Sequence, residues 1–300
     1  MAATRRPITQ SWVADNLPAR PERAHKGDFG RLLAVAGSID YPGAALLTAL
    51  GAMRSGAGLV RVATAESVAA RLAGAVPEIT WMVLDEEAPG LIAPGGWRRI
   101  TAEAAAFGAV VVGPGLGAQP STRRRTRQLS GSLTVPAVID ADGLNALAGS
   151  QDWWRTLHAP LVLTPHPGEF GRLIGGSAPD GADDAGRADA AAEAAARWGH
   201  VVVLKGAHTL VAGTNGEVLE SAVATPALAT AGSGDVLAGA IGALLAAGAS
   251  PLAAAACGVA VHGAAGLLAA ERIGNSGVVA RDLAALLPEA IRTLRGEASA

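Results

Sequence analysis

Short, unbroken runs of apolar and mostly β-branched residues recur along the chain, with helical patterns between them. Strands covered on both faces by helices have this composition, whereas strands with one face in water alternate apolar and polar residues. The pattern therefore predicts an α/β fold with a parallel, doubly wound central sheet and right-handed crossovers. The predicted strands are 31–37, 59–64, 79–84, 109–115, 136–142, 160–166 and 200–206, and two predicted helices are 43–57 and 183–199.

No shift in composition and no long linker divides the 300 residues. A chain of this length suits one large α/β domain or two small ones. The loosest stretch, residues 175–186, fits a surface loop that leads into a helix. We therefore expect one domain over residues 1–300.

The charge of the chain is nearly balanced, with 24 Lys and Arg against 26 Asp and Glu and a formal net charge of −2. This balance does not indicate binding to nucleic acid or another polyanion. The basic cluster over residues 122–127 is interpreted as a solvated helix face. The single cysteine, Cys257, excludes an intrachain disulfide and is interpreted as a small apolar filler of a buried helix.

Residues 236–270 contain no Asp, Glu, Lys or Arg and are long enough to resemble a membrane span. They are built on Ala and Gly more than on Leu, Ile and Phe, and the Gly-Ala-Ser-Pro segment at 248–251 interrupts them. We predict two helices buried inside an α/β core, with no membrane partner. The first residues contain no apolar signal segment, which together with the single cysteine favours a reducing, cytoplasmic setting.

Nearly every predicted strand ends in Gly, Pro, Asp or His. In open α/β sheets, ligands bind outside the carboxyl ends of the strands, and glycine there lets a ligand approach the backbone. So many glycine-rich loops indicate one large ligand or two ligands at this edge. The loop at 113–117, with Gly115 and Gly117, fits a phosphate or ribose contact about as well as an ordinary turn, and it does not match the GxGxxG pattern of dinucleotide-binding folds.

The segment AGSGDVLAG, residues 231–239, places one carboxylate behind two glycines at the start of an apolar helix. Gly232 and Gly234 allow backbone amides to converge on an anion, and the helix N-terminus adds its dipole and free N–H groups. Asp235 then either caps its own helix or acts as a general base beside a phosphate. As a base it takes the proton of a hydroxyl that attacks a phosphoryl group.

Two other strand ends carry candidate residues. In TPHPGEF, residues 164–170, His166 and Glu169 either begin a helix or serve as a substrate contact and a carboxylate that orders a metal-bound water. In LKGAHT, residues 204–209, Lys205 either meets phosphate oxygens or a nucleobase or is a surface lysine. The sequence has no zinc-type ligand cage and no GxxxxGK[ST] or GxSxG pattern, which disfavours zinc-site, P-loop kinase and α/β-hydrolase interpretations.

Eight collinear segments together resemble the family of ADP/ATP-dependent NAD(P)H-hydrate dehydratases, over about residues 25–287. They are HKGDFGRLLAVAGS, PGAALLTALGAMRSGAGLVRV, VVVGPGLG, VIDADGLNAL, LTPHPGEFGRLIG, VVLKGAHT, AGSGDVLAGAIGALLAAG and AVHGAA. The resemblance implies a ribokinase-like three-layer α/β/α sandwich. The epimerase domain that is fused to many bacterial members has no counterpart here, so we expect none.

The resemblance also implies a repair reaction on the S-epimer of hydrated NADH or NADPH, which carries a hydroxyl at C6 of its nicotinamide ring. ADP or ATP, with Mg²⁺, would phosphorylate that hydroxyl, and loss of phosphate would restore the ring double bond. Phosphate is a good leaving group and hydroxide a poor one, so phosphoryl transfer can drive this dehydration. Family members are often homotetramers, so a homo-oligomer is expected.

Matching positions give the residue roles that the resemblance implies, with Asp235 as the catalytic base. The implied substrate contacts are Ala44, Gly115, Gly117, His166 and Asp235. The implied nucleotide contacts are Lys205, Gly206, Ala207, His208, Thr209, Gly232 and Gly234. Glu169 would help to organise Mg²⁺ through water.

The chain departs from the family pattern just before the two glycines. Ala231 stands at the first glycine of the usual Gly-Gly-Thr/Ser-Gly-Asp motif, and Ala224, Thr225 and Ala227 replace the usual Gly, Asn and Gly. Gly232, Gly234 and Asp235 remain, so the anion-binding turn is expected to survive. The alternatives are a ribokinase-like kinase of a small alcohol, of the hydroxyethylthiazole or pyridoxal type, and an inactive nucleotide-binding module.

Overall fold

The structure is a computed structural model that describes residues 4–297, and its middle layer is a sheet. The strands are β1 (Thr4–Pro7), β2 (Arg31–Val35), β3 (Leu59–Ala65), β4 (Thr80–Leu84), β5 (Glu86–Ala88), β6 (Leu91–Ile92), β7 (Ala109–Val112), β8 (Ala137–Ile139), β9 (Leu161–Leu163), β10 (Val201–Leu204), β11 (Leu210–Ala212) and β12 (Glu217–Glu220). Ten of them form one sheet in the order β1-β12-β11-β10-β9-β8-β7-β2-β3-β4, and β5 and β6 form a separate hairpin. Neighbours in the large sheet are parallel except at β10-β11 and β11-β12.

Helices cover both faces of this sheet. They are α1 (Gln10–Asn16), α2 (Pro42–Arg54), α3 (Glu66–Leu72), α4 (Pro94–Glu103), α5 (Pro120–Ser132), α6 (Asp142–Ala148), α7 (Pro167–Ile174), α8 (Asp184–Trp198), α9 (Ser233–Ala246), α10 (Pro251–Arg272) and α11 (Ala280–Leu294). Successive residues of β2 point into different cores: Leu32 and Ala34 belong to the core under α1, α2 and α9–α11. Leu33 and Val35 belong to the core under α3–α8. The three-layer α/β/α arrangement explains why the strands are apolar on both faces.

The observed elements confirm the seven predicted strands and both predicted helices. The prediction omitted β1, β11, β12 and the hairpin β5–β6. These strands have only two to four residues, and β1, β5 and β12 carry charged side chains, so they lack the long apolar run that identified the others. The antiparallel pairings β10-β11 and β11-β12 are additions to the predicted parallel sheet.

Helices α2 and α9 are in backbone contact through two glycines. A Cβ built on Gly51 would lie 2.3 Å from the carbonyl oxygen of Val236, and one on Gly239 would lie 2.0 Å from that of Thr48. No side chain fits at these distances, so the small residues of both helices serve close packing. This contact fixes the first turn of α9, with Asp235, relative to the start of α2.

The uncharged stretch at 236–270 forms parts of α9 and α10, which the 248–251 segment separates as predicted. Within the described residues, only α10 is both long enough and apolar enough to cross a membrane. However, 72% of its most apolar 18-residue segment is buried inside the protein. Cys257 of α10 is fully buried, and burial raises the pKa of its thiol to about 12. These findings confirm the core helices and the unreactive thiol. In the basic cluster of α5, Arg123 and Arg124 are exposed as predicted for a solvated face, whereas Arg125 and Arg127 are half-buried and Arg127 donates to the Ala146 carbonyl at 2.9 Å.

Candidate active site

The first turn of α9 carries two unsatisfied backbone donors. Gly232 adopts a left-handed conformation with φ of 85° and is the residue before the helix. The Ser233 N–H donates to the carbonyl of Thr230 at 3.2 Å, and the Val236 N–H to that of Gly232 at 3.2 Å. The N–H groups of Gly234 and Asp235 donate to no group within residues 4–297. They are free to bind an anion at the positive end of the helix dipole.

The family motif has a glycine where this chain has Ala231, and the structure shows why alanine is tolerated. Of the described non-glycine residues, only Ala141 and Asp152 have positive φ. Gly232 supplies the left-handed conformation, and Ala231 is exposed. The expected turn at Gly232 is therefore formed despite the substitution, and its binding of an anion stays a prediction.

The carboxylate of Asp235 does not cap its helix. It makes no hydrogen bond and no ion pair with any residue that the structure describes, and α9 has no side-chain cap. It lies half-buried at a cavity. Burial, helped by the negative charge of Asp140, raises the pKa of Asp235 to about 7. A carboxylate with a pKa near neutrality that faces a cavity is suited to general-base catalysis.

That cavity has a volume of about 630 Å³ and lies at the carboxyl ends of β2, β7 and β8. It brings together four of the sequence-predicted site residues, Ala44, Gly115, Gly117 and Asp235. The tip of the β5–β6 hairpin also lines it. Its size matches that of pockets for drug-sized or nucleotide ligands. The sequence rule that strand ends converge on a ligand site is thus met by these loops.

Lys205 lies on the other side of the first turn of α9. A Cβ on Gly234 would lie 3.5 Å from the Lys205 Nζ. The Nζ donates to Asp140 Oδ1 at 2.9 Å and lies 3.8 Å from Glu169 Oε2. Burial opposes the charge of the ammonium, but Asp140 and Glu169 outweigh it and raise the pKa of Lys205. Lys205 is therefore a charged residue of the site and not a surface lysine.

His166 and Glu169 form a reciprocal cap at the start of α7. His166 Nδ1 accepts from the Gly168 N–H at 3.0 Å, and Glu169 Oε2 accepts from the His166 N–H at 2.9 Å. The helix-start interpretation is therefore correct. Burial and the nearby Lys205 lower the pKa of His166, in keeping with its acceptor role. His166 does not line the cavity, so its implied substrate contact stays a prediction.

The loop from Lys205 to Thr209 joins β10 to β11 at the same edge of the sheet. His208 Nδ1 lies 3.3 Å from the Ser221 carbonyl oxygen, and Thr209 Oγ1 donates to the Gly206 carbonyl at 3.3 Å. Gly206 and Ala207 are exposed. Side-chain hydrogen bonds thus hold the shape of this loop, and its two smallest residues are the ones left exposed.

Sequence reasoning did not single out Asp140 and Asp142, although both lie at the end of the predicted strand 136–142. Asp140 is 2% exposed and binds Lys205, whereas Asp142 Oδ2 accepts from the Gly117 N–H at 2.8 Å. Between them, Ala141 has φ of 49° and ψ of −116°, a strained conformation for alanine. On either side of this residue, the two carboxylates contact two different loops of the site, that of Lys205 and that of Gly117.

Sequence reasoning also gave no role to His262, which lies in the motif AVHGAA. Its Nε2 lies 3.1 Å from the Ser233 Oγ, and both side chains are buried. Burial lowers the pKa of His262 to about 4, so the ring is neutral. His262 therefore ties α10 to the first turn of α9 through an uncharged hydrogen bond.

The site residues suit a divalent cation that is shared with a phosphate. Among the described residues, no cluster of three or more His, Cys, Asp or Glu could hold a metal alone. Asp140 and Glu169 are buried carboxylates that both approach one cation, the ammonium of Lys205. Because Mg²⁺ binds one or two carboxylates together with water and substrate phosphates, this donor set fits Mg²⁺ bound with a nucleotide.

A mostly parallel sheet between two helical layers, with a helix N-terminus and the Asp235 carboxylate at a strand-edge cavity, is the arrangement of a ribokinase-like α/β fold. A family model described as NAD(P)H-hydrate dehydratase matches residues 32–289. The chain belongs to this family.

Three relatives illustrate the similarity. The chain is 38% identical over 285 residues to the ADP-dependent (S)-NAD(P)H-hydrate dehydratase of Xanthomonas campestris, covering 94% of this chain and 96% of that protein. It is 43% identical over 279 residues to the bifunctional NAD(P)H-hydrate repair enzyme Nnr of Thermofilum pendens, covering 93% of this chain. The chain spans 53% of the length of that bifunctional relative. The crystal structure of the Bacillus subtilis ADP/ATP-dependent NAD(P)H-hydrate dehydratase, co-crystallised with ATP/Mg²⁺, superposes with a TM-score of 0.82 at 32% identity, covering 96% of this chain and 98% of that one.

Proposed function

We propose that this chain dehydrates hydrated NADH or NADPH back to the reduced dinucleotide at the expense of ADP or ATP. One observation carries the proposal. The Asp235 carboxylate, with a pKa of about 7 and no partner among the described residues, lies at a cavity beside the free N–H groups of a helix start. Family membership over residues 32–289 supports the same activity.

In the first step, Asp235 takes the proton of the C6 hydroxyl of the substrate. The hydroxyl oxygen bonds to the terminal phosphorus of the nucleotide, and the bond from that phosphorus to the leaving nucleotide oxygen breaks. In the second step, the C6–O bond breaks and releases phosphate, while C5 loses a proton and the C5–C6 double bond forms. The sum is loss of water from the substrate and hydrolysis of one phosphoanhydride bond.

The remaining residues hold the phosphates. The N–H groups of Gly234 and Asp235 face the transferred phosphoryl group, where negative charge accumulates in the transition state. Lys205, beside Gly234, contacts the donor phosphates, and the backbone of Gly206 and Ala207 borders the nucleotide. Gly115 and Gly117 border the dinucleotide in the 630 Å³ cavity.

Asp140 and Glu169 are the residues that would hold Mg²⁺, Glu169 through water. The cation would neutralise charge on the donor phosphates. The Lys205 ammonium already forms ion pairs with both carboxylates. Binding of a nucleotide with its cation would therefore rearrange ion pairs that exist before binding.

The finer features of the proposal are the S-epimer as substrate, a cytoplasmic location and a homotetramer. The name of the Xanthomonas campestris relative supports the S-epimer and ADP as donor. Exposed Ile273 and Val279 are apolar side chains that a subunit contact would cover. Light scattering coupled to size-exclusion chromatography tests the assembly.

The decisive experiment incubates the protein with hydrated NADH, ADP and Mg²⁺ and follows absorbance in the reduced-nicotinamide band. Recovery of that band, with release of one orthophosphate per NADH formed, is the expected result. Consumption of nucleotide only with a thiazole or pyridoxine alcohol would instead indicate a small-alcohol kinase. Binding of nucleotide without turnover of any of these substrates would indicate an inactive module.

A further inference from the structure

The only tyrosine of the chain, Tyr41, is an exposed aromatic residue at the cavity that holds Asp235. It is 58% exposed, the largest exposed fraction among the large hydrophobic residues that the structure describes. It lies immediately before α2, in the loop that follows β2. The function proposed above assigns no role to this aromatic ring.

The backbone of Tyr41 is held firmly although its ring is not. Gly115 has φ of 62°, and a Cβ there would lie 2.9 Å from the Tyr41 Cβ and 2.7 Å from the Ala44 Cβ. The Gly115 loop therefore packs directly on the Tyr41 backbone. The Tyr41 carbonyl also accepts from the Ala44 N–H at 3.3 Å. A ring on a fixed backbone loses little freedom when a ligand covers it, which favours binding.

The β5–β6 hairpin fixes the other side of the same loop. A Cβ on Gly90, at the hairpin tip, would lie 2.5 Å from the Ile39 Cβ. Glu86 accepts hydrogen bonds from the Ser67 N–H, the Ser67 hydroxyl and the Gly90 N–H at 2.9, 2.6 and 3.0 Å. Burial opposes the charge of Glu86, but these hydrogen bonds outweigh it and lower its pKa, so the anchor is ionised. The loop that carries Tyr41 is therefore packed on one side by the Gly115 loop and on the other by the β5–β6 hairpin.

Tyr41, the residue before α2, lies more than one helical turn away from the part of α2 that contacts Gly232. Leu47 is the neighbour of Gly232, since a Cβ on that glycine would lie 2.4 Å from the Leu47 Cδ1. Tyr41 precedes Leu47 by six residues, which is roughly 9 Å along a helix axis. Tyr41 and Asp235 line the same cavity, so a ligand that extends from Asp235 towards the start of α2 can contact the Tyr41 ring, and a dinucleotide is long enough to do so.

We propose that the Tyr41 ring stacks on a flat heterocycle of the dinucleotide substrate and holds it for reaction at Asp235. This inference rests on the function proposed above. Nicotinamide and adenine both offer a flat face, and stacking on an aromatic side chain needs no particular hydrogen-bonding edge. The hydroxyl of Tyr41 has no hydrogen-bond partner among the described residues, and the Tyr41→Phe variant separates its contribution from that of the ring.

The test compares Tyr41→Ala with Tyr41→Phe in steady-state kinetics on hydrated NADH with ADP and Mg²⁺. We expect Tyr41→Ala to raise the KM for hydrated NADH about 10- to 100-fold, with the KM for ADP unchanged, and Tyr41→Phe to keep wild-type values. Ile174→Ala is the matched control, because Ile174 is an exposed apolar residue that does not line the cavity. An unchanged KM for hydrated NADH in Tyr41→Ala would overturn the inference.

A second substrate shows which ring of the dinucleotide, nicotinamide or adenine, stacks on Tyr41. Hydrated reduced nicotinamide mononucleotide lacks the adenosine half. If Tyr41 stacks on nicotinamide, Tyr41→Ala should raise the KM for the mononucleotide by the same factor as the KM for hydrated NADH. If Tyr41 stacks on adenine, Tyr41→Ala and wild type should have the same KM for the mononucleotide.

Equilibrium binding of NADH, the reaction product, separates this inference from the proposed function. Fluorescence of the dihydronicotinamide reports its binding without turnover. Weaker NADH binding by Tyr41→Ala than by wild type supports the stacking even if no dehydration occurs. Equal NADH binding by both proteins overturns the stacking, whatever the activity. If wild type turns over hydrated NADH but wild type and Tyr41→Ala bind NADH equally, the proposed function holds and the stacking inference fails.

Discussion

Replacement of Asp235 by Asn should remove activity and at the same time stabilise the protein. Asn has nearly the same shape as Asp but cannot accept the proton of the substrate hydroxyl. General-base catalysis contributes about 10²- to 10⁴-fold, so kcat should fall by that factor. In the wild type, kcat/KM should rise with pH and level off above about 7, where Asp235 is ionised.

The gain in stability follows from the raised pKa of Asp235. Its pKa rises from 3.8, the ordinary value expected for the unfolded chain, to about 7 in the folded protein. The folded state therefore favours the protonated form, and the unfolded chain releases its proton first as the pH rises. Below pH 3.8 the free energy of unfolding is unaffected; it falls between pH 3.8 and about 7 and stays low above that. At about 1.4 kcal/mol per unit, the full loss is at most about 4 kcal/mol.

Because Asn carries no charge, Asp235→Asn should escape this loss. Urea unfolding at pH 8 should give a higher free energy of unfolding for the variant than for the wild type, and the difference should shrink towards pH 4. Asp40→Asn removes an exposed carboxylate from the same cavity and should change kcat only a few-fold. The reasoning would be refuted if Asp235→Asn kept more than a tenth of the wild-type kcat. It would also be refuted if the difference in unfolding free energy between Asp235→Asn and the wild type were the same at pH 4 and pH 8.

Two further variants probe the phosphate side of the site. Lys205→Met leaves the buried carboxylates of Asp140 and Glu169 without their cation, so we expect a loss of about 3 kcal/mol in urea unfolding and a KM for ADP raised at least about 10-fold; an unchanged KM would remove Lys205 from the nucleotide site. Gly232→Ala forces a Cβ into a residue with φ of 85° and to within 2.4 Å of a leucine methyl, so it should lose about 1–3 kcal/mol and weaken ADP binding. Gly216→Ala is the control, because Gly216 has φ of 84° and open space around the Cβ. It should cause the same backbone strain without a change in ADP binding. Equal KM values for ADP in the two variants would contradict the role of Gly232 in the nucleotide site.

The sheet could be predicted because its central strands are continuous apolar runs, which leave few alternatives to a doubly covered parallel sheet. The strands at one edge could not. Strand β12, for example, reads Glu-Val-Leu-Glu, and only its pairing with β11 and β1 makes it a strand. Such short segments are stabilised by tertiary contacts and not by their own sequence.

Part of the site could likewise be read from the chain. The carboxyl ends of parallel strands meet at one edge, so the convergence of Ala44, Gly115 and Asp235 on one cavity follows from the order of strands and glycine loops. Whether Asp235 capped its helix was undecidable, because a carboxylate at that position can turn inward or outward at little cost. The pairing of Asp140 with Lys205 joins residues 65 positions apart, and no local pattern indicates it.

The glycine contact between α2 and α9 has a consequence for how the reaction partners meet. In the proposed reaction, α2 would begin beside the dinucleotide and α9 beside the donor phosphates. The two helices touch backbone to backbone at Gly51 and Gly239, so they form one rigid block. The close contact at these two glycines would thereby set the distance that the phosphoryl group travels in the proposed reaction. A single methyl at either glycine would wedge the helices apart and lengthen that distance without altering any group that takes part in the chemistry.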